Sequence, residues 1–390
     1  MTHHPYLIIG GGMSAASALQ GIREVDANAD IAVISSEKHY PYDRPPLSKQ
    51  LWTGKKTQED IWRDVPEGVS FYLGRTVVAL DLDRKEARDQ AGDVYTFDKL
   101  LLATGGKPRR LPFGGDNIIY FRSLDSYRRL RALAEQHDRF VVIGGGFIGS
   151  EIAAALAMQG KHVTMLFPEG GIGARQFPAD LAAHLNEYYR EQGVDVLSRE
   201  SVVDVEGAGN ELTVVTESGR RIEANAVVAG IGITPNVALA EAAGLNVTDG
   251  IVVDSSLRTS HPDVYAAGDV ANFPDPVLGT RRRVEHEDAA NSMGAVAGRA
   301  MAGAEAVYDH TPMYYSDMFD LGYEAVGRLD SRLETVVDWQ EPFRKGVIYY
   351  LDGQRVCGVL LWNVWDKVDE ARQLLAEPDR FSIRTLQQGR

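Results

Sequence analysis

One pattern occurs twice in this chain: an apolar run, a glycine-rich turn, a helix-like stretch and a second apolar run. Tyr6-Leu7-Ile8-Ile9 meets Gly10-Gly11-Gly12, small and apolar residues follow over 13–22, and Ile31-Ala32-Val33-Ile34 leads to Glu37. The order returns with Arg139-Phe140-Val141-Val142-Ile143, then Gly144-Gly145-Gly146-Phe147-Ile148-Gly149, a helical pattern over 150–159 and an apolar run over 162–167. Short apolar runs bounded by glycine turns and separated by a helix predict parallel strands buried on both faces. The first glycines, Gly10 and Gly144, stand 134 residues apart. That spacing is one domain-sized unit repeated, not a solenoid.

A strand–glycine–helix–strand unit ending in an acid has the order of a dinucleotide-binding fold. Gly10 would make the tight turn, and Gly12 would let backbone approach a pyrophosphate at the helix N-terminus, where N–H groups and dipole favour an anion. Ala15 takes the third position, and Glu37 is placed to accept from an adenosine ribose. Gly144, Gly146 and Gly149 form the stricter glycine version. There the acid is Glu169, two residues later than usual because Pro168 intervenes. An acid favours NAD(H) over NADP(H), whereas nearby Arg175 is the residue type that a 2′-phosphate prefers. Two such units plus a further domain imply a flavoprotein that takes hydride from a nicotinamide cofactor.

The chain has 390 residues, which at about 150 per domain gives two or three domains. Its net charge of −14 disfavours nucleic acid and anionic membrane. A single cysteine, Cys357, excludes an internal disulfide, a Cys-x-x-Cys pair and an iron–sulfur cluster, and no metal site is expected. With no secretory signal and no long apolar run, a cytoplasmic protein is expected. From about Tyr308 the texture changes to alternating strands. An Asp352-Gly353 hairpin and a closing helix over 368–375 predict an antiparallel α+β domain. The fold class is therefore α/β: two Rossmann-like domains and a C-terminal α+β domain.

Arg44-Pro45-Pro46-Leu47-Ser48-Lys49 resembles the FAD/NAD reductases of the glutathione-reductase structural class that lack the redox disulfide. That group includes the ferredoxin and rubredoxin reductases and apoptosis-inducing factor. Phe147-Ile148-Gly149-Ser150-Glu151, Leu166-Phe167-Pro168-Glu169, Arg282-Arg283-Val284-Glu285-His286 and Ser316-Asp317 followed by Gly322-Tyr323-Glu324-Ala325 resemble the last of these. The likeness implies an FAD domain made of 1–110 and 240–307, an NAD domain over 111–239 and a C-terminal domain over 308–390.

The resemblance also implies roles. Arg44 would pair with the FAD pyrophosphate, Lys49 would sit near flavin N5 with Glu151 as its partner, and Asp269 would meet the ribityl chain. Arg122 and Tyr315 would join the FAD site. Glu285 and His286 would lie at the isoalloxazine and nicotinamide, ahead of a helix from about residue 288. Phe147, Ile148, Gly232 and Glu324 would join Glu169 and Arg175 around NAD. Tyr315 stands where apoptosis-inducing factor has a tryptophan, and Glu287 where it has a second histidine. Lys49, Glu151 and His286 are the expected catalytic set.

The expected activity is NADH oxidation through FAD to an acceptor: a small acidic ferredoxin or rubredoxin, a quinone or oxygen. A redox-responsive interaction protein with a long-lived charge-transfer state is the rival of another class. A homodimer is compatible with either. Arg281-Arg282-Arg283 reads as a solvated run able to dock an acidic acceptor, and Trp52, Trp362 and Trp365 as packing residues.

Overall fold

The computed structural model describes residues 1–377, which form two compact units. The first unit comprises Met1–Asp43, Gln58–Lys107 and Thr234–Pro312. Its seven-stranded sheet centres on strand Thr2–Ile9, flanked in parallel by Ile31–Ser35 and Val94–Leu102. Val69–Leu73 extends one side. On the other, the end of Val94–Leu102 pairs in parallel with Val264–Ala266, while its beginning pairs antiparallel with Glu86–Asp89. Ile31–Ser35 is buried along its whole length, which is why it reads as an unbroken apolar run.

The central strand begins at Thr2, not at the apolar Tyr6. Polar His4 fits inside because its ring nitrogens reach Asp30 at 3.0 Å and the Tyr72 hydroxyl at 3.1 Å. Gly10 adopts φ +114°, and a Cβ there would lie 2.1 Å from the Ala103 carbonyl oxygen. Only glycine makes that turn. The following helix, Met13–Val25, packs against helix Glu287–Met301.

The second unit comprises Arg44–Thr57, Pro108–Ile233 and the chain from Met313. Its core is a five-stranded parallel sheet in the order Val194–Ser198, His162–Phe167, Arg139–Ile143, Ala226–Ala229 and Ile118–Tyr120. Helix Phe147–Met158 follows the glycine turn and starts three residues before the sequence pattern places it. The glycines set that start. A Cβ at Gly149 would meet the Gly144 carbonyl oxygen at 2.0 Å, so the helix begins in contact with the turn.

The same unit carries an antiparallel five-stranded sheet in the order Met313–Met318, Leu321–Gly327, Arg355–Trp362, Lys345–Asp352 and Glu334–Glu341. Gly353, at φ +65°, makes the expected hairpin turn, and helix Val368–Ala376 packs on the sheet. Trp52 and Trp362 are buried, and Trp365 is 46% exposed. Trp365 follows strand Arg355–Trp362 in a turn where Asn363 and Asp366 both have positive φ, and its ring lies against Gly322 of the sheet, where a Cβ would meet it at 2.7 Å.

Candidate functional site

On the second unit, segment 44–49 brings Lys49 to Glu151 of helix Phe147–Met158. Lys49 Nζ lies 2.7 Å from Glu151 Oε1, with both side chains nearly dry. Two hydroxyls complete the carboxylate: Ser48 Oγ donates to Oε2 and Ser316 Oγ to Oε1, each at 2.6 Å. Both serines lie in the quoted strings, but neither is read there as a donor to Glu151, because serine carries no spacing signature of its own. Lys49 Nζ also lies 5.2 Å from the centre of the Tyr315 ring, within cation–π range.

Strand register places Tyr315 opposite Glu324 and Ser316 opposite Tyr323. Neighbours along a strand point to opposite faces, and Ser316, the buried one of the two, is the residue that reaches Glu151. Next to it, Asp317 has its carboxyl raised above the usual range, chiefly by desolvation, with Lys49 opposing and Glu151 adding. Arg44 Nη1 donates to the Arg122 carbonyl at 2.9 Å, joining two more of the expected residues.

Around the second glycine turn, helix Phe147–Met158 has Gly146 as N-cap, no side-chain cap and no acid in its first turn. A Cβ at Gly146 would meet nothing within 4 Å, which leaves the approach to the helix end open. Gly232 has φ +89°. Glu169 accepts from Arg175 Nε at 2.9 Å and Nη2 at 2.6 Å. Buried Glu324 Oε2 has no hydrogen-bond partner. Desolvation holds the Glu324 carboxyl above its ordinary range, and Asp366 adds to the rise. An orphaned buried acceptor suits a ligand that donates.

On the first unit, helix Met13–Val25 likewise has Gly12 as N-cap, no side-chain cap and no acid in its first turn. Its third motif residue, Ala15, is fully buried. Glu37 lies just past strand Ile31–Ser35 and accepts from the Tyr42 hydroxyl at 2.6 Å. Asp269 sits in the short helical turn Gly268–Val270. Gly268, at φ +76°, fits only without a side chain, because a Cβ would lie 2.2 Å from Ser14 Oγ.

Arg283 ties this region together. It reaches Glu285 at 2.6 Å and Asp249 at 3.0 Å, and donates to the Asp269 carbonyl at 3.1 Å. Residue His286 is the N-cap of helix Glu287–Met301, which confirms the expected helix start to within a residue. The arginine run is partly tied down: Arg281 is exposed, while Arg282 and Arg283 are half-buried. Arg281 donates to the Val253 and Asn272 carbonyls, and Arg282 Nε lies 2.7 Å from buried Asp275. These arginines fold back because strands Ala271–Asp275 and Thr280–Arg282 leave acids and carbonyls within reach.

Both units thus carry an uncapped glycine-turn helix with an acid past the next strand, the donor and acceptor set that a dinucleotide requires. A family profile described as pyridine nucleotide-disulphide oxidoreductase matches residues 4–294. The chain belongs to that family. The profile of the C-terminal region of apoptosis-inducing factor matches 297–342 and 337–377. Among relatives, mitochondrial apoptosis-inducing factor 1 of Dictyostelium discoideum is 35% identical over 98% of this chain and 80% of its own. The ferredoxin–NAD(+) reductase component of the anthranilate 1,2-dioxygenase system of Burkholderia cepacia is 32% identical over 96% and 95%. The covalent putidaredoxin reductase–putidaredoxin complex matches with a TM-score of 0.90 at 29% identity, covering 97% and 94%.

This member of the pyridine nucleotide-disulphide oxidoreductase family is an FAD-dependent NAD(P)H oxidoreductase of the apoptosis-inducing-factor and ferredoxin-reductase kind. Its only cysteine, Cys357, is buried in strand Arg355–Trp362, so it works without the redox disulphide for which the family is named. No helix among the described residues is long and apolar enough to cross a membrane.

Proposed function

We propose that the chain oxidises NADH in preference to NADPH and passes the electrons singly to a small ferredoxin-type protein. The observation that carries the reading is the buried Lys49–Glu151 pair. A dry ammonium held by one counter-ion is a cation placed in advance where negative charge is to arrive. Bound FAD supplies the chemistry that the side chains lack, accepting hydride from the reduced nicotinamide at N5 and releasing electrons one at a time.

The residues have separate tasks. On the first unit Gly10, Gly12 and Ala15 would hold the backbone against the FAD pyrophosphate, Glu37 would accept from the ribose, Asp269 would meet the ribityl chain, and Glu285 and His286 would lie at the ring. Arg44, Arg122 and Tyr315 of the second unit are the further residues that the resemblance assigns to FAD. Gly144, Gly146, Gly149, Phe147, Ile148 and Gly232 shape the NAD cradle, with Glu324 accepting from the carboxamide. On this reading residues 1–110 and 240–307 form the FAD domain, 111–239 the NAD domain, and the chain from 308 the third.

Glu169 favours an unphosphorylated ribose, since like charges in a partly desolvated pocket repel. Support for a ferredoxin-type acceptor comes from what the Burkholderia relative is named for and from the partner in the putidaredoxin reductase complex. Steady-state assays with both nicotinamides, each against a [2Fe–2S] ferredoxin, a quinone and oxygen, test the reading. Ferredoxin reduction with NADH should dominate. Equal kcat/KM for NADH and NADPH, or turnover only with quinone, would overturn it.

A further inference from the structure

We infer that Ser316 and Ser48 are positioning residues, whose hydroxyls fix the Glu151 carboxylate as the standing counter-ion of Lys49. The inference rests on the reading that Lys49 serves the flavin, and it extends that reading to the antiparallel sheet. Glu151 is 3% exposed in a helix whose buried neighbours are Ile152, Ala153, Ala154 and Ala155. Burial leaves it almost no contact with solvent, so the carboxylate depends on donors from the protein. It has three, from two segments: Lys49 Nζ on Oε1 and Ser48 Oγ on Oε2 from 44–49, and Ser316 Oγ on Oε1 from strand Met313–Met318. Ser48 is 4% exposed and Ser316 1%, so neither hydroxyl can be replaced by solvent.

The other titratable groups around Glu151 are few. Tyr189 and Tyr323 feel its charge, but burial pushes both hydroxyls far up, so they stay neutral. Asp317 feels Glu151, Lys49 and Lys55, and is itself raised, chiefly by desolvation. Glu151, Lys49 and Asp317 are therefore the groups that can set the local charge. Hydrogen bonds donated to a carboxylate hold its oxygens in place. Removing one of the two on Oε1 frees the carboxylate to turn away from Lys49, which changes the field that the ammonium sets at the flavin. A merely structural serine would lower stability without moving the flavin potential.

The test uses the FAD-loaded protein and measures the flavin midpoint potential by dye-coupled photoreduction. In Ser316→Ala the potential should shift in the same direction as in Lys49→Ala, and by less. Ser316→Thr, which keeps the hydroxyl, should restore the wild-type potential, and Ser48→Ala should act like Ser316→Ala. Thermal midpoints of the flavin-free forms report the purely structural cost alongside. Should Ser316→Ala fold poorly, Ser48→Ala decides by itself. Potentials of both alanine variants equal to that of wild type, while Lys49→Ala shifts the potential, would overturn the inference and leave the reading of Lys49 intact. A potential unmoved even by Lys49→Ala would show that Lys49 does not serve the flavin, and both would fall together.

Discussion

Lys49 gives up nearly all its water on folding, and its ammonium is answered by one carboxylate at 2.7 Å. Lys49→Ala should slow flavin reduction by about 10²–10³-fold while changing NADH affinity little, because the cation matters most as charge arrives. Stopped-flow reduction at saturating NADH checks this. Unchanged reduction would show the lysine to be a bystander. Adding Glu151→Ala should cost less than the two single changes combined, since the partners act as one unit. Glu169 and Arg175 make the second test. Glu169→Gln releases Arg175 for a 2′-phosphate, so the NADH preference should fall by about 10- to 100-fold. Arg175→Ala should raise it, and opposite movements in kcat/KM ratios would reject the assignment. The Lys49–Glu151 pair was legible because both residues sit in recognisable strings. Ser48 and Ser316 sit in such strings too, but their role was not legible, since they reach Glu151 across 103 and 165 residues and a serine announces no partner.

Helices Met13–Val25 and Glu287–Met301 show what the pattern hides at the scale of elements. Their closest approach is made by glycines facing carbonyls. A Cβ at Gly294 would lie 2.3 Å from the Ser14 oxygen, and one at Gly298 2.3 Å from the Ala18 oxygen. Alanine at either position gains about 0.5–1 kcal/mol of helix propensity but overpacks by about 1–3 kcal/mol, so a net loss is expected. Denaturant unfolding of Gly298→Ala measures it, and a more stable variant would contradict the packing.

Asp263 is a second element-scale device. Lys85 and Lys99 hydrogen-bond its carboxylate and hold it down to about 2, against partial desolvation. A depressed carboxylate stabilises above the unfolded-state value and loses that contribution as pH falls from about 4 through 2. Asp263→Asn should therefore lower the thermal midpoint at neutral pH and converge with wild type at acid pH. A constant gap would show that the effect is not electrostatic. These contacts link residues far apart, and charge composition alone does not reveal them.

For the whole molecule, the two parallel sheets followed from the repeated glycine turn, and the antiparallel sheet followed from strand alternation and the Asp352-Gly353 turn. The resemblance had already grouped 240–307 with the first glycine motif; the placing of Arg44–Thr57 with the second was less legible. Nothing local marks that exchange, because it depends on tertiary packing. The arginine run shows the same limit: the acids and carbonyls that hold Arg282 and Arg283 come from elsewhere in the fold. The glycine turns nevertheless commit the molecule to two dinucleotides and hydride chemistry. The most direct test is the absorption spectrum of the purified protein before and after anaerobic mixing with NADH. The protein should be yellow, carry about one FAD per chain, and lose its long-wavelength flavin band on mixing. A folded, colourless chain that takes up no FAD, or a loaded one whose band survives NADH, would contradict it.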